Sequence, residues 1–186
     1  MKNLFLTCIF VLTLFSLTLA QLSGPLSGVI TSGIYTVLGE ISVEDYDSLT
    51  IEPEVTLEFM GPYEFNIEGY IYTAGTETDS IKFIPGNGVN YWSGINFNYT
   101  YNNGSRFEYC LITGGHSPIG LYAEYGGGIF FYHSNPEISK CTITGNSADQ
   151  VGGGARFLLF QSDYLRLCYQ TQHILFFWRR SLLQIF

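Results

Sequence analysis

Charge is scarce in this sequence. Of its 186 residues, 13% are Asp, Glu, Lys or Arg, against 46% hydrophobic and 17% aromatic. Disorder is thereby excluded, because a disordered chain needs low hydrophobicity and high charge. The shortage of charged helix formers excludes a coiled coil as well. Lys and Arg number eight against sixteen acidic residues, a net charge of −8. With no basic face, nucleic acid is not an expected partner. Helical periodicity is missing from residues 21 to 155, and no stretch beyond the first twenty residues is long and apolar enough to span a bilayer. The three histidines, His116, His133 and His173, lack metal-ligand spacing. No nucleophile elbow, phosphate loop or dinucleotide fingerprint occurs, so no catalytic residue, metal or cofactor is expected.

What is present begins with an address. Met1-Lys2-Asn3 is a short basic start, followed by an apolar run from Leu4 to Leu19 that closes on Thr18-Leu19-Ala20. Small residues there suit a signal peptidase, and the run is shorter than the roughly 20 residues of a membrane anchor. Residues 1–20 are expected to be a secretory signal peptide, with the mature chain starting near Gln21. Stable membrane insertion of the mature chain is not expected.

Beyond the address the sequence repeats itself. The triplets Gly126-Gly127-Gly128 and Gly152-Gly153-Gly154 recur at an offset of 26, as do Val55-Thr56-Leu57-Glu58-Phe59 and Ile81-Lys82-Phe83-Ile84. Phe107-x-x-Cys110-x-Ile112 recurs as Ile138-x-x-Cys141-x-Ile143 at an offset of 31, which places about five inserted residues within His116 to Glu124. Between these landmarks, Ile41-Ser42-Val43, Leu49-Thr50-Ile51 and the segments just named alternate as strands do. Pro85-Gly86-Asn87-Gly88, Asn102-Asn103-Gly104 and Ser134-Asn135-Pro136 punctuate them as turns. A motif recurring in register every twenty to thirty residues predicts a solenoid, in which each unit buries its apolar face only by stacking on its neighbours. The expected fold is all-β, a right-handed parallel β-helix of about five coils over residues 21–155.

The run Asn135-Pro136-Glu137-Ile138-Ser139-x-Cys141-Thr142-Ile143-Thr144-Gly145-Asn146-Ser147-Ala148, with its flanking Gly triplets, resembles right-handed parallel β-helix repeats of secreted bacterial proteins, the pectin lyase-like superfold. It is also similar to polymorphic outer membrane protein repeats, although Ile143 stands where that repeat has Phe. The resemblance covers roughly residues 33 to 154. It implies a secreted protein or one on the outer-membrane surface of a bacterium. That fold serves adhesins, lyases, hydrolases and passive spacers alike. With no catalytic constellation visible, an adhesive or structural module is the expected function. A truncated fragment of a carbohydrate-active enzyme is the alternative.

Candidate ligand contacts are aromatic. Tyr91, Trp92, Phe97, Tyr99 and Tyr101 fall in one repeat, and Phe130, Phe131, Tyr132 and His133 in another. Of these, Tyr91, Trp92, Tyr99 and Tyr132 are the candidates for a sugar-stacking strip, with packing on a broad sheet as the plainer reading. Residues 21 to 155 carry fifteen acidic and three basic side chains, a net of −12. Such a surface repels polyuronates, so a neutral glycan or a surface protein is the expected partner. Asp45 and Asp47 read as a solvated turn, with calcium binding as the alternative. Cys110 and Cys141 occupy matched positions and are expected to be stacked thiols; a disulfide is the other option in an oxidising compartment.

After Gly154 the composition changes. Residues 156–186 hold four of the eight Lys and Arg and no Gly or Asn. Codons allowed by Arg156 to Tyr169, read one base over, encode Gly-Phe-Tyr-Tyr-Phe-Asn-Pro-Thr-Ile-Ser-Gly-Cys-Val-Ile. The Asn-Pro of that reading falls at the same offset of 26 from Asn135-Pro136. Trp178-Arg179-Arg180 becomes a Gly triplet in that frame, again in register. Residues 156–186 are therefore expected to be a non-native, out-of-frame tail on a truncated β-helix, one that does not continue the coils.

Overall fold

A computed structural model describes residues 20–100, 104–118, 126–149, 153–158 and 182–184. Among them are eighteen strands and no helix. Strand β1 (Ala20–Pro25) comes first, then β2 (Gly28–Ile30) and the long β3 (Gly33–Val43). Next are β4 (Ser48–Ile51), β5 (Val55–Phe59) and β6 (Phe65–Ile67), then β7 (Tyr70–Ala74), β8 (Ile81–Pro85) and β9 (Ile95–Asn98). They are followed by β10 (Arg106–Glu108), β11 (Cys110–Thr113), β12 (His116–Ser117) and β13 (Ile129–Tyr132). The last group is β14 (Glu137–Ser139), β15 (Thr142–Thr144), β16 (Ser147–Ala148), β17 (Ala155–Leu158) and β18 (Leu182–Gln184).

These strands form three long ladders that the chain visits in a fixed order. The first is β2–β4–β7–β10–β14. The second starts on Gly33–Val37 of β3 and runs through β5, β8, β11 and β15. The third starts on Ile41–Val43 of the same strand and runs through β6, β9, β13 and β17. Because β3 opens both, the second and third ladders are joined into one eleven-stranded sheet, with β1 alongside β3 and β18 at the far end. Pairing is parallel throughout, except that β18 lies antiparallel to β15. A short pair, β12 with β16, bridges the last two rounds.

The offsets visible in the sequence are the registers of these ladders. Thr56 faces Lys82 and Ile129 faces Ala155, both at an offset of 26. Phe107 faces Ile138 and Leu111 faces Thr142, both at an offset of 31. The offset is not constant. It ranges from 21 (Gly28 to Leu49) to 34 (Tyr72 to Arg106), because the connecting corners differ in length.

Alternation along the strands sends one side chain in two to a shared interior. Leu49, Ile51 and Phe107 from the first ladder, Leu57, Phe83 and Ile112 from the second, and Phe65, Phe97 and Phe131 from the third all sit in one fully buried cluster. Phe97 and Phe131, partners in register, stack with ring centroids 5.4 Å apart. Each such side chain contributes about 1.5–3 kcal/mol by leaving water.

The Gly triplet has a steric cause. A Cβ on Gly127 would collide with the Ser147 carbonyl oxygen and lie 2.6 Å from the Gly153 oxygen; one on Gly128 would lie 2.6 Å from the Gly154 oxygen. Glycine recurs there because backbones of successive rounds touch.

Both expected boundaries meet strands. Ala20, the last residue of the expected signal peptide, begins β1 and pairs with Tyr35. The 155/156 boundary falls inside β17, whose backbone pairs with β13 through Leu158, so the third ladder continues three residues into the expected tail. Backbone pairing does not depend on side-chain identity, which is why the change of composition at Arg156 does not stop it. The rest of residues 156–186, apart from β18, and the apolar run Leu4 to Leu19 lie outside the described residues. No helix among the described residues is long and apolar enough to cross a membrane.

Candidate functional site

The outward side of the third ladder carries the chemistry. Between inward Ile41 and Val43, Ser42 points out; between Phe65 and Ile67, Asn66; beside Phe97, Asn96 and Asn98; beside Phe131, Phe130 and Tyr132. Register aligns Ser42, Asn66, Asn96 and Phe130 in one column, and Asn98 with Tyr132 in the next. Glu40 and Glu64 stand two residues before the first column, and Glu44 and Glu68 two residues after it. From β3 to β13 the surface thus passes from carboxylate through amide to aromatic.

The aromatic end is a corner where the chain leaves the third ladder. Tyr99 follows β9 and His133 follows β13, and both hold left-handed backbone, with φ of 55° and 48°. Their rings are parallel, 5.3 Å apart. Tyr132 meets Tyr99 edge-on at 5.1 Å, and the Tyr99 hydroxyl donates to the Tyr132 hydroxyl at 3.5 Å. That bond pushes the Tyr99 phenol above its usual pKa. Tyr99 is 71% exposed. The corner offers a broad aromatic surface with hydroxyls at its rim, suited to the apolar face and the hydroxyls of a sugar.

Of the four candidate stacking residues, Tyr99 and Tyr132 are therefore brought together. Tyr91 stands elsewhere, edge-on to His116 at 4.8 Å. Trp92 belongs to the core. It is fully buried, stacks on Phe59 at 4.2 Å and donates from its indole nitrogen to the Thr113 carbonyl at 2.8 Å, leaving no face for a ligand. Phe97 and Phe131 point inward, and Phe130 is buried on the outward side. Tyr101 lies outside the described residues.

The carboxylate end forms a concavity of about 460 Å³ between β1, β3 and β6, lined by Glu40, Ser42, Glu44, Asn66 and Glu68 with Gly24 and Pro25. Ser42 donates to Glu44 Oε1 at 2.6 Å. Next to it, the Asn96 amide nitrogen donates to Asn66 Oδ1 at 3.2 Å, while Asn96 Oδ1 is buried without a partner. Burial pushes the Glu64 carboxyl above the usual carboxylate range; Glu40 adds to the effect, and hydrogen bonds from Asn66 and Asn96 oppose it. Asp45 and Asp47 lie in the exposed turn after β3, as a solvated turn would. Among the described residues no group of three or more His, Cys, Asp or Glu is placed to hold a metal ion.

A second polar cluster went unread in the sequence. His116 and Ser147 face each other across the β12–β16 pair, with Nδ1 and Oγ 2.9 Å apart, and Asp149 Oδ1 lies 3.8 Å from His116 Nε2. At that distance the carboxylate is too far for a hydrogen bond and is not the orienting group of a catalytic triad. Single residues so far apart in the chain carry no local signal; only the register unites them.

Cys110 and Cys141 are free, buried and adjacent, the Cys110 amide donating to Cys141 Sγ at 3.3 Å. No known protein family, curated protein or solved structure matches the chain.

Proposed function

We propose that this chain is a right-handed parallel β-helix, secreted or displayed at the outer surface of a bacterial cell, that serves as an adhesive or structural module and engages a neutral glycan or a surface protein at the Tyr99–Tyr132–His133 corner. Three parallel ladders visited in constant order support the fold reading. The right hand follows from the preference of parallel crossover connections. The observation that carries the functional reading is Tyr99 itself. A large ring, 71% exposed, is held in left-handed backbone that costs a non-glycine residue roughly 1–2 kcal/mol. The same backbone recurs at other corners, Tyr46 and Tyr109 among them; what sets this corner apart is the packing of three rings, Tyr99, Tyr132 and His133, against one another.

The test separates binding from folding. Tyr99→Gly removes the ring and relieves the backbone, so the variant should melt no lower than the parent while losing affinity on a neutral-glycan array. Tyr132→Ala should lose affinity too. Retained binding by both variants contradicts the site. Incubation with pectins and alginates addresses the non-catalytic part of the reading. Unsaturated products released by the purified chain would show it to be a lyase.

A further inference from the structure

We infer, resting on the glycan reading above, that the corner selects a neutral sugar bearing an acetamido group, with the pyranose ring on Tyr99, the acetamido methyl on Tyr132 and the acetamido carbonyl on the side chain of Asn98.

Asn98 is the polar residue beside the rings that the glycan reading leaves unused. It ends β9, and alternation after inward Phe97 turns its side chain outward and half-buried, on the same side as Tyr132. Register makes Asn98 and Tyr132 direct neighbours on adjacent parallel strands, about 4.8 Å apart. The amides one step earlier in the ladder are engaged with each other, Asn96 donating to Asn66. Among the described residues no hydrogen bond occupies the Asn98 side chain, so its two N–H donors and its carbonyl oxygen remain available.

An amide that donates and accepts side by side fits a ligand carbonyl next to a hydroxyl, which a 2-acetamido group and the hydroxyl beside it provide. Two plain hydroxyls satisfy the same amide, and the neighbouring residue decides between them. An acetamido group ends in a methyl, and with its carbonyl on Asn98 that methyl has the Tyr132 ring alongside; a diol carries nothing apolar to set there. The pyranose has its own place on Tyr99. His133 stacks on that ring and Tyr132 meets it edge-on, yet the residue stays 71% exposed. Tyr99 and Tyr132 have ring centroids 5.1 Å apart, the scale of a sugar ring and its own acetamido arm. Because the Tyr99 hydroxyl donates to that of Tyr132, the Tyr132 hydroxyl keeps its proton for a ligand oxygen. Charged sugars match less well. A uronate meets a region whose net charge is −12, and a free amine brings neither a carbonyl for the Asn98 donors nor a methyl for the ring.

The experiment titrates the full chain with matched pairs: β-1,4-linked tetramers of N-acetylglucosamine and of glucose, and the methyl glycosides of N-acetylgalactosamine and of galactose. Within a pair that binds, the acetamido sugar should bind about tenfold more tightly than its parent, the scale of one hydrogen bond with an apolar contact added. Asn98→Asp, which keeps the shape and removes both donors, should bring the two affinities together, and so should Asn98→Ala. Both variants should melt with the parent, since the side chain bonds nothing in the fold. Equal affinity within every pair overturns the inference, as does a preference that survives both substitutions. So does an array on which only sugars without an acetamido group bind. Each of these results leaves the neutral-glycan reading intact, because a neutral sugar still binds. Failure of every glycan, on the array and in these titrations, overturns both.

Discussion

Cys110 and Cys141 are read the same way from sequence and structure because both sit in a phrase, apolar-x-x-Cys-x-Ile, whose strand alternation fixes which side chains face inward. Burial pushes the Cys110 thiol well up from its usual pKa, so it stays protonated and unreactive. Neither thiol should react with an aromatic disulfide reagent in the folded chain, and both should react once denaturant is added. Rapid labelling under native conditions would contradict their placement. Trp92 shows where alternation fails. It lies in a corner, joined to Gly115 by a single bridge, and neighbouring residues give no phase from which to tell inward from outward. Its partners Phe59 and Thr113 come from other rounds and cannot be seen along the chain. Glu64 offers a test with a definite sign. Its folded pKa is raised, so its favourable contribution is full below the unfolded value and is lost as pH rises through the folded one. Glu64→Gln should therefore gain melting temperature relative to the parent on going from pH 4 to pH 7. A difference that shrinks over that range would contradict the assignment.

At the scale of elements, the phrases recognised in the sequence are points where one round touches the next. Gly127 is one. Asn146 is another: its Oδ1 accepts from the Gly115 amide at 2.8 Å, and its Nδ2 donates to the Ile112 carbonyl at 3.0 Å, tying the turn after β15 to the turn after β11. Asn146→Ala should cost about 1–3 kcal/mol by leaving those backbone groups unpaired. Gly127→Ala should cost at least about 2 kcal/mol, since the obstacle is backbone that cannot move aside. Urea unfolding of both variants measures this, and wild-type midpoints would refute the contacts. What escaped the sequence was β3 as one strand. Ile41-Ser42-Val43 reads as a strand of its own, yet it is the end of a strand that starts at Gly33, and that one strand opens two ladders. The candidate site suffered likewise. Tyr99 and Tyr132 could be named as aromatics, but the columns that set Asn66 beside Asn96 and Asn98 beside Tyr132 rest on two other offsets. These are 30 (Asn66 to Asn96) and 34 (Asn98 to Tyr132), and no repeat motif announces either.

For the whole molecule, the question is what its rounds belong to. We propose that residues from about Arg156 onward are out-of-frame sequence on a longer protein; β17 carries the third ladder three residues past that point and β18 returns antiparallel on β15. Sequencing the gene decides this: codons 156 to 180 should encode the repeat one base over, and codons that do not would end the proposal. The stacking of rounds is the premise beneath the corner, the carboxylate columns and the tail, and it has one direct readout. In nuclear Overhauser spectra of the isotope-labelled chain, interstrand contacts should join residues at the ladder offsets, Leu57 with Phe83 and Leu111 with Thr142, in the pattern of parallel pairing. Contacts running antiparallel between consecutive strands, such as β4 with β5 or β10 with β11, would mean that the chain folds back in hairpins and that the account is wrong.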